Sequence, residues 1–282
     1  MKNGKHLSTG KTSSSRSGLA EQIAAKTSVK SMQLMTHQIL GYPDFDTNYE
    51  MIRLFHEHGV ELVELQIPFS EPIADGPVFL QANQASLAAG TTTKQCIEFA
   101  KRATADFPQL TFLFMTYYNI ILQYGIDDFV KDCAEIGIRG LIVPDAFPEE
   151  SAELLHACRN CDIELVLLAT PYTTDTRLAY LAEQTGGFLY CAARKGVTGS
   201  KTAFGTSTDE FLTRVRSVAQ TPIAVGFGIQ NSEDIRFLQG KCDIAIIGTQ
   251  LLNVLKQDGL AGVDRFLQAL QAAAAEDSRH IG

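Results

Sequence analysis

Short runs of apolar and β-branched residues recur along the chain, and most are followed by a stretch whose apolar positions repeat at helical spacing. The strand candidates are residues 32–40, 61–67, 111–117, 139–144, 163–169, 187–192, 222–227 and 242–248. The helix candidates are 45–58, 92–106, 126–136, 149–160, 175–184, 207–219, 231–239, 249–256 and 262–275. Strands alternating with helices argue for βα units and a parallel sheet. An open doubly wound sheet is one way to close that argument. Eight units favour the other, an α/β fold of the (β/α)8 TIM-barrel type forming a single domain over residues 19–278. The longest interval follows the second strand, where residues 68–90 precede the next helix. In such barrels the loops at the C-terminal ends of the strands carry the chemistry.

The length of 282 residues suits one barrel of about 250 residues plus a tail. Residues 1–30 hold six Lys/Arg against Glu21 alone, a local charge of +5, so with a net charge of −8 the rest of the chain carries −13. Residues 1–18 are rich in Gly, Ser, Thr and Lys and read as a disordered basic tail; no apolar run of signal-peptide length follows Lys2 and Lys5. No basic stripe interleaved with aromatics is present, which argues against nucleic-acid binding. No apolar segment reaches 18 residues, so no membrane span is expected, and the cysteine usage is what reads as cytoplasmic. The six cysteines lie mostly among apolar neighbours, as reduced buried thiols do. Cys158 and Cys161 form a CxxC that closes a helix instead of opening one, unlike a redox motif, and no second pair completes a metal site.

The sharpest segment runs from Val60 to Pro77, VELVELQIPFSEPIADGP. On a strand alternate residues share a face. Val63, Leu65 and Ile67 then face the helices, while Leu62, Glu64 and Gln66 point into the barrel. A Glu aimed into an apolar interior loses hydration and its pKa rises, which suits it to proton transfer near neutrality. Asp75 follows in a turn-rich loop over the same mouth, and two carboxyls in unlike environments can divide acid and base roles. The plainer reading of the same residues is a paired Glu64 and an Asp75 that caps a turn.

Three glycine-bearing loops follow strands six, seven and eight: Lys195–Gly199, Val225–Ile229 and Ile247–Gln250. Glycine lets backbone N–H groups approach an anion, and a helix starting at Thr249 would add its N-terminal partial charge, so a phosphorylated ligand is expected. Tight turns alone are the other explanation of these glycines.

Pro68 to Pro77 (PFSEPIADGP) resembles the hallmark segment of tryptophan synthase alpha subunits. Met115–Asn119, Val143–Glu150, Arg194–Gly199 and Gly226–Ile229 resemble the family's other signatures, in the same order, across roughly residues 19–275. The resemblance implies a lyase that splits indole-3-glycerol phosphate into indole and glyceraldehyde 3-phosphate by retro-aldol chemistry. It implies Glu64 and Asp75 as the catalytic pair, and substrate contacts from Tyr117, Tyr190, Thr198, Gly199, Gly228, Gly248 and Thr249. It also implies a barrel-floor helix at 19–26, a mobile lid around Thr198, no metal and no cofactor of the chain's own. PLP is expected only in a partner, the beta chain of an α2β2 complex, which Pro68 and Glu71 would meet. His37 and Gln66 depart from the family pattern, which has an apolar and a small residue there; His37 is expected to border the substrate, and Gln66, on the same face as Glu64, to hydrogen-bond Glu64 or narrow the pocket. Asp145 is expected as a hydrogen-bond partner behind the site or a helix cap.

Overall fold

A computed structural model describes residues 18–28, 30–192, 206–226 and 228–276. Eight parallel strands among them close into a barrel in sequence order: β1 Gln33–Ile39, β2 Leu62–Gln66, β3 Thr111–Met115, β4 Gly140–Ile142, β5 Glu164–Ala169, β6 Leu189–Cys191, β7 Ile223–Val225 and β8 Ile244–Ile247. Closure is made by β1 pairing with both β2 and β8. All eight strand positions agree with the sequence pattern to within a few residues.

Two apolar layers follow from the alternation. Val63, Leu65 and Ile67 join the outer core between sheet and helices, whereas Leu62 joins the inner core with Met35, Leu113, Ile142, Val166 and Ile244. Helix α1 (Leu19–Thr27) inserts Leu19 and Ile23 into the bottom of that inner core. Gln33 ties it there, donating through Nε2 to the Ile23 carbonyl at 2.8 Å. The top of the barrel is left for polar groups.

Helices α2 (Phe45–Glu57), α4 (Thr93–Asp106), α6 (Ile126–Glu135), α7 (Ala152–Asn160), α8 (Asp175–Gln184), α9 (Thr206–Val218) and α10 (Ser232–Leu238) match the sequence pattern. The pair expected at 249–256 and 262–275 is also present: α11 (Thr249–Ala275) is two helices meeting at a kink at Gly259, whose φ of 64° no helix accommodates. Two further helices correct the reading. Segment 68–90 contains α3 (Pro77–Ala88), and α5 (Tyr118–Tyr124) follows β3 directly. The buried face of α3 is Phe79, Ala82, Asn83 and Ser86, half of it polar, so no apolar stripe marks it. In α5 only Ile121 is fully buried, and its β-branched, aromatic composition reads as strand.

All six cysteines are free thiols; five are buried and Cys161, the C-cap of α7, is half-buried. No helix among the described residues is long and apolar enough to cross a membrane. The basic segment before Gly18, and Thr198 and Gly199, lie outside the described residues.

Candidate active site

The C-terminal mouth of the barrel holds a cavity of about 730 Å³. His37, Glu64, Asp75, Phe79, Met115, Tyr190, Gly226, Gly228, Gly248 and Thr249 line it, so side chains far apart in sequence converge there. Strand alternation turns Glu64 inward as expected, and it is almost fully buried. The β1–β2 register sets His37 directly beside it.

Burial holds the Glu64 carboxyl well above its usual range, and the nearby Asp75 charge pushes it the same way. Oε2 of Glu64 is buried with no hydrogen-bond partner among the described residues. Nothing there compensates a full negative charge, so the protonated acid is the favoured form. His37 Nδ1 lies 3.7 Å from Glu64 Oε1. This is no ion pair, because burial lowers the imidazole to about 3 and His37 is neutral near pH 7.

Asp75 sits in the loop between β2 and α3 and is pushed up only to about 6. Burial raises it, while hydrogen bonds from Gln66, Asn83 and Tyr117 hold it down. Gln66 Nε2 donates to Asp75 Oδ2 at 2.6 Å, and Asn83 Nδ2 to the same oxygen at 3.2 Å. Gln66 therefore serves Asp75 and, through Oε1, His37 Nε2 at 2.8 Å; no hydrogen bond joins it to Glu64, which corrects one of the two expectations for this residue. The environments of the two carboxyls differ in kind: Glu64 is buried with Oε2 lacking a hydrogen-bond partner among the described residues, whereas Asp75 accepts from Gln66 and Asn83.

Tyr117, fully buried, accepts the Ala74 N–H at 3.2 Å and stacks on Phe69 with ring centroids 5.0 Å apart. It thus pins the Asp75 loop. Asp145 accepts the N–H of Tyr118 at 2.9 Å and so caps the first turn of α5, which fixes the backbone next to Tyr117. Tyr190 stands on β6 across the cavity, its hydroxyl pushed well up by burial and then by Glu64. A methyl on Gly226 would come within 3.0 Å of that hydroxyl.

The glycine loops expected to meet an anion reach the cavity at the start of α11. Gly248 is its N-cap and offers no side chain to the first-turn N–H groups, which leaves them available to a ligand. A Cβ at Gly248 would meet the Phe79 ring at 3.0 Å, and Gly228 adopts a φ of 72° that favours glycine. Of the two residues expected at a partner, Pro68 is buried and Glu71 is exposed. Asn83 and Phe79 are among the site residues the sequence reading missed, both because α3 was not foreseen.

Comparison with known proteins agrees with this architecture. The family profile described as tryptophan synthase alpha chain matches residues 23–279. The tryptophan synthase alpha chain of Desulforapulum autotrophicum is 48% identical over 241 residues, covering 86% of this chain and 95% of the relative. A chain of tryptophan synthase from Mycobacterium tuberculosis superimposes with a TM-score of 0.86 at 27% identity, over 93% of this chain and all of that one. A chain of the tryptophan synthase α2β2 complex of Pyrococcus furiosus does so with a TM-score of 0.80 at 25% identity, over 86% and 98% of the respective chains. With the closed barrel and two carboxyls in its mouth, the chain belongs to the tryptophan synthase alpha chain family, the lyase that cleaves indole-3-glycerol phosphate in tryptophan biosynthesis.

Proposed function

We propose that Glu64 and Asp75 carry out the proton transfers of indole-3-glycerol phosphate cleavage in this chain. The observation that supports this is the pair of carboxyls in one cavity with unlike environments, Glu64 held well above its ordinary range and Asp75 at about 6. The phosphate sits at the N-terminus of α11, on the N–H groups of Gly248 and Thr249 and the glycine loop at Gly226 and Gly228. The indole ring then reaches toward Phe79 and Tyr190, while Tyr117, which does not line the cavity, supports the Asp75 loop from behind.

In that pose Asp75 accepts the proton of the indole nitrogen while Glu64 gives its proton to the ring carbon bearing the glycerol chain. The ring becomes an indolenine. The Glu64 carboxylate takes the proton of the adjacent glycerol hydroxyl, a carbonyl forms, and the carbon–carbon bond breaks with its electron pair returning to the ring. Asp75 returns its proton to nitrogen. Both carboxyls end as they began, and the products are indole and glyceraldehyde 3-phosphate. The chain's share is acid–base work by its own side chains; PLP belongs to the beta chain.

The partner reading is an α2β2 assembly with a beta chain. It is supported by the likeness to a chain of the Pyrococcus furiosus α2β2 complex and by apolar exposure at the mouth, where Ile73 is 80% and Phe147 54% exposed. Glu71 and Ile73 are the contacts, with Pro68 supporting the loop from beneath. Six reduced thiols suit a cytoplasmic setting. Indole release from indole-3-glycerol phosphate, measured with and without a beta chain, tests the reading. Release that Glu64→Gln and Asp75→Asn both abolish is the expected result; full activity in either variant refutes the role given to that residue.

A further inference from the structure

The two carboxyls are joined by a run of side chains that the proton transfers above do not use, and the orientation of each link follows from its neighbour. The Asn83 amide is anchored by backbone at both ends: Oδ1 accepts the Phe69 N–H at 3.0 Å, and Nδ2 donates to the Phe79 carbonyl at 2.9 Å. Its amide therefore has one orientation, with Nδ2 also reaching Asp75 and Oδ1 facing Gln66 at 3.4 Å. The Gln66 atom that meets Asp75 Oδ2 at 2.6 Å and faces Asn83 Oδ1 lies between two acceptors, so it is the NH2 end. Gln66 Oε1 then faces His37 Nε2 at 2.8 Å. An amide oxygen only accepts, so the imidazole hydrogen is on Nε2 and Nδ1 is left as a lone pair.

That lone pair faces Glu64 Oε1 at 3.7 Å, a small side-chain rotation outside hydrogen-bond range. Phe79 covers the ring of His37 with centroids 4.3 Å apart, so the imidazole is held in place from its face as well. A carboxylate at Glu64 would oppose the Nδ1 lone pair, while a carboxylic acid would direct its proton to it. The titratable groups that line the cavity with His37 are Glu64 on β2, beside it, Asp75 in the following loop, Tyr190 on β6, and Arg177 on α8, which is paired with Glu149; Tyr117 after β3 lies behind the Asp75 loop, accepting the Ala74 N–H.

We propose that His37 and Gln66 are positioning residues that bridge the two carboxyls: neutral His37 keeps the proton on Glu64, and the Gln66 NH2 keeps Asp75 ionised. The bridge gives the pair its polarity, acid at Glu64 and base at Asp75. It deepens, and rests on, the roles proposed for those two carboxyls. Burial of His37, which pushes the ring down to about 3, accords with its staying neutral throughout turnover.

The state of His37 is read directly on the substrate-free wild-type chain by imidazole 15N NMR between about pH 5 and 8. The expected result is an unchanging neutral ring with hydrogen on Nε2; a protonated ring, or hydrogen on Nδ1, overturns the proposal. That reading stands whatever the substrate, so failure of wild-type turnover strikes the proposed function and not the bridge. Kinetics in the complex with a beta chain supply the second test. His37→Phe and Gln66→Met are each expected to lower kcat about tenfold with KM within about threefold, and the double variant to lose little more than either, as members of one unit do. Gln66→Met also moves the low-pH limb of kcat/KM upward, because Asp75 loses a donor that holds it down. Losses that multiply to about a hundredfold, with the limb unmoved, overturn the bridge.

Discussion

Glu64→Gln tests the acid assignment through stability as well as through activity. The substitution preserves the shape of a fully buried side chain and removes its proton. In an unfolded chain Glu64 titrates at its ordinary 4.5, whereas the folded chain holds the proton well above that value. Folding therefore takes up a proton at this site once the pH exceeds 4.5, and this group's contribution to stability falls as pH rises through that window. For a carboxyl that is still protonated at pH 7, as the acid role requires, the growth of the penalty from pH 5 to pH 7 is about 2–3 kcal/mol at 1.36 kcal/mol per unit. Gln has no such slope. The new amide can donate one hydrogen to His37 Nδ1 and leaves another unpaired, a cost of about 1–3 kcal/mol that is the same at both pH values. Thermal unfolding of wild type and variant is then compared at pH 5 and at pH 7. The variant should gain on wild type by roughly 5–10 °C between the two, at about 2–4 °C per kcal/mol for a chain of this size, while indole release falls by at least about a hundredfold. A stability difference that is equal at the two pH values would falsify the claim that the folded chain keeps a proton on Glu64.

Three further outcomes follow from the site. Asp75 must be ionised to act as base and is pushed up to about 6, so kcat/KM should fall as pH drops through about 6; a profile flat down to pH 5 removes Asp75 from that role. Gly248→Val places a side chain where even a Cβ meets Phe79 at 3.0 Å and shields the first N–H groups of α11. It should weaken glycerol 3-phosphate binding by about tenfold or more, read by calorimetry, and unchanged affinity would place the phosphate elsewhere. Asp145→Ala removes the acceptor for the Tyr118 N–H and should cost about 1 kcal/mol of stability, seen in denaturant unfolding, with a loss of kcat from the slackened Tyr117. A kcat equal to wild type would mean that Tyr117 is held without this cap.

The period of the hydrophobic pattern carried most of the architecture. Residues 62–67 alternate so strictly that the inward aim of Glu64 and the outward aim of Val63 and Leu65 are properties of the strand alone. The eight strands were legible for the same reason, since their apolar runs are bounded by turns. Helices α3 and α5 were not, because a buried face containing Asn83 and Ser86, or a helix of β-branched and aromatic residues started by an aspartate 27 positions later in the chain, lacks the periodicity that marks a helix.

The site divides along the same line. Sequence by itself determined that Glu64 enters the barrel, that Asp75 follows in a loop at its mouth, and that glycines recur at the strand ends where an anion can approach. Only the tertiary structure decided how polar groups pair there. The parallel register of β1 and β2 puts His37 beside Glu64, and α3 brings Asn83 down onto Asp75. Gln66 is thereby drawn away from the carboxyl two residues before it and onto Asp75 and His37. Which way a side chain points is set locally by the pleat of its strand; what it meets is set by the closure of the barrel and the docking of a helix, and local periodicity contains neither.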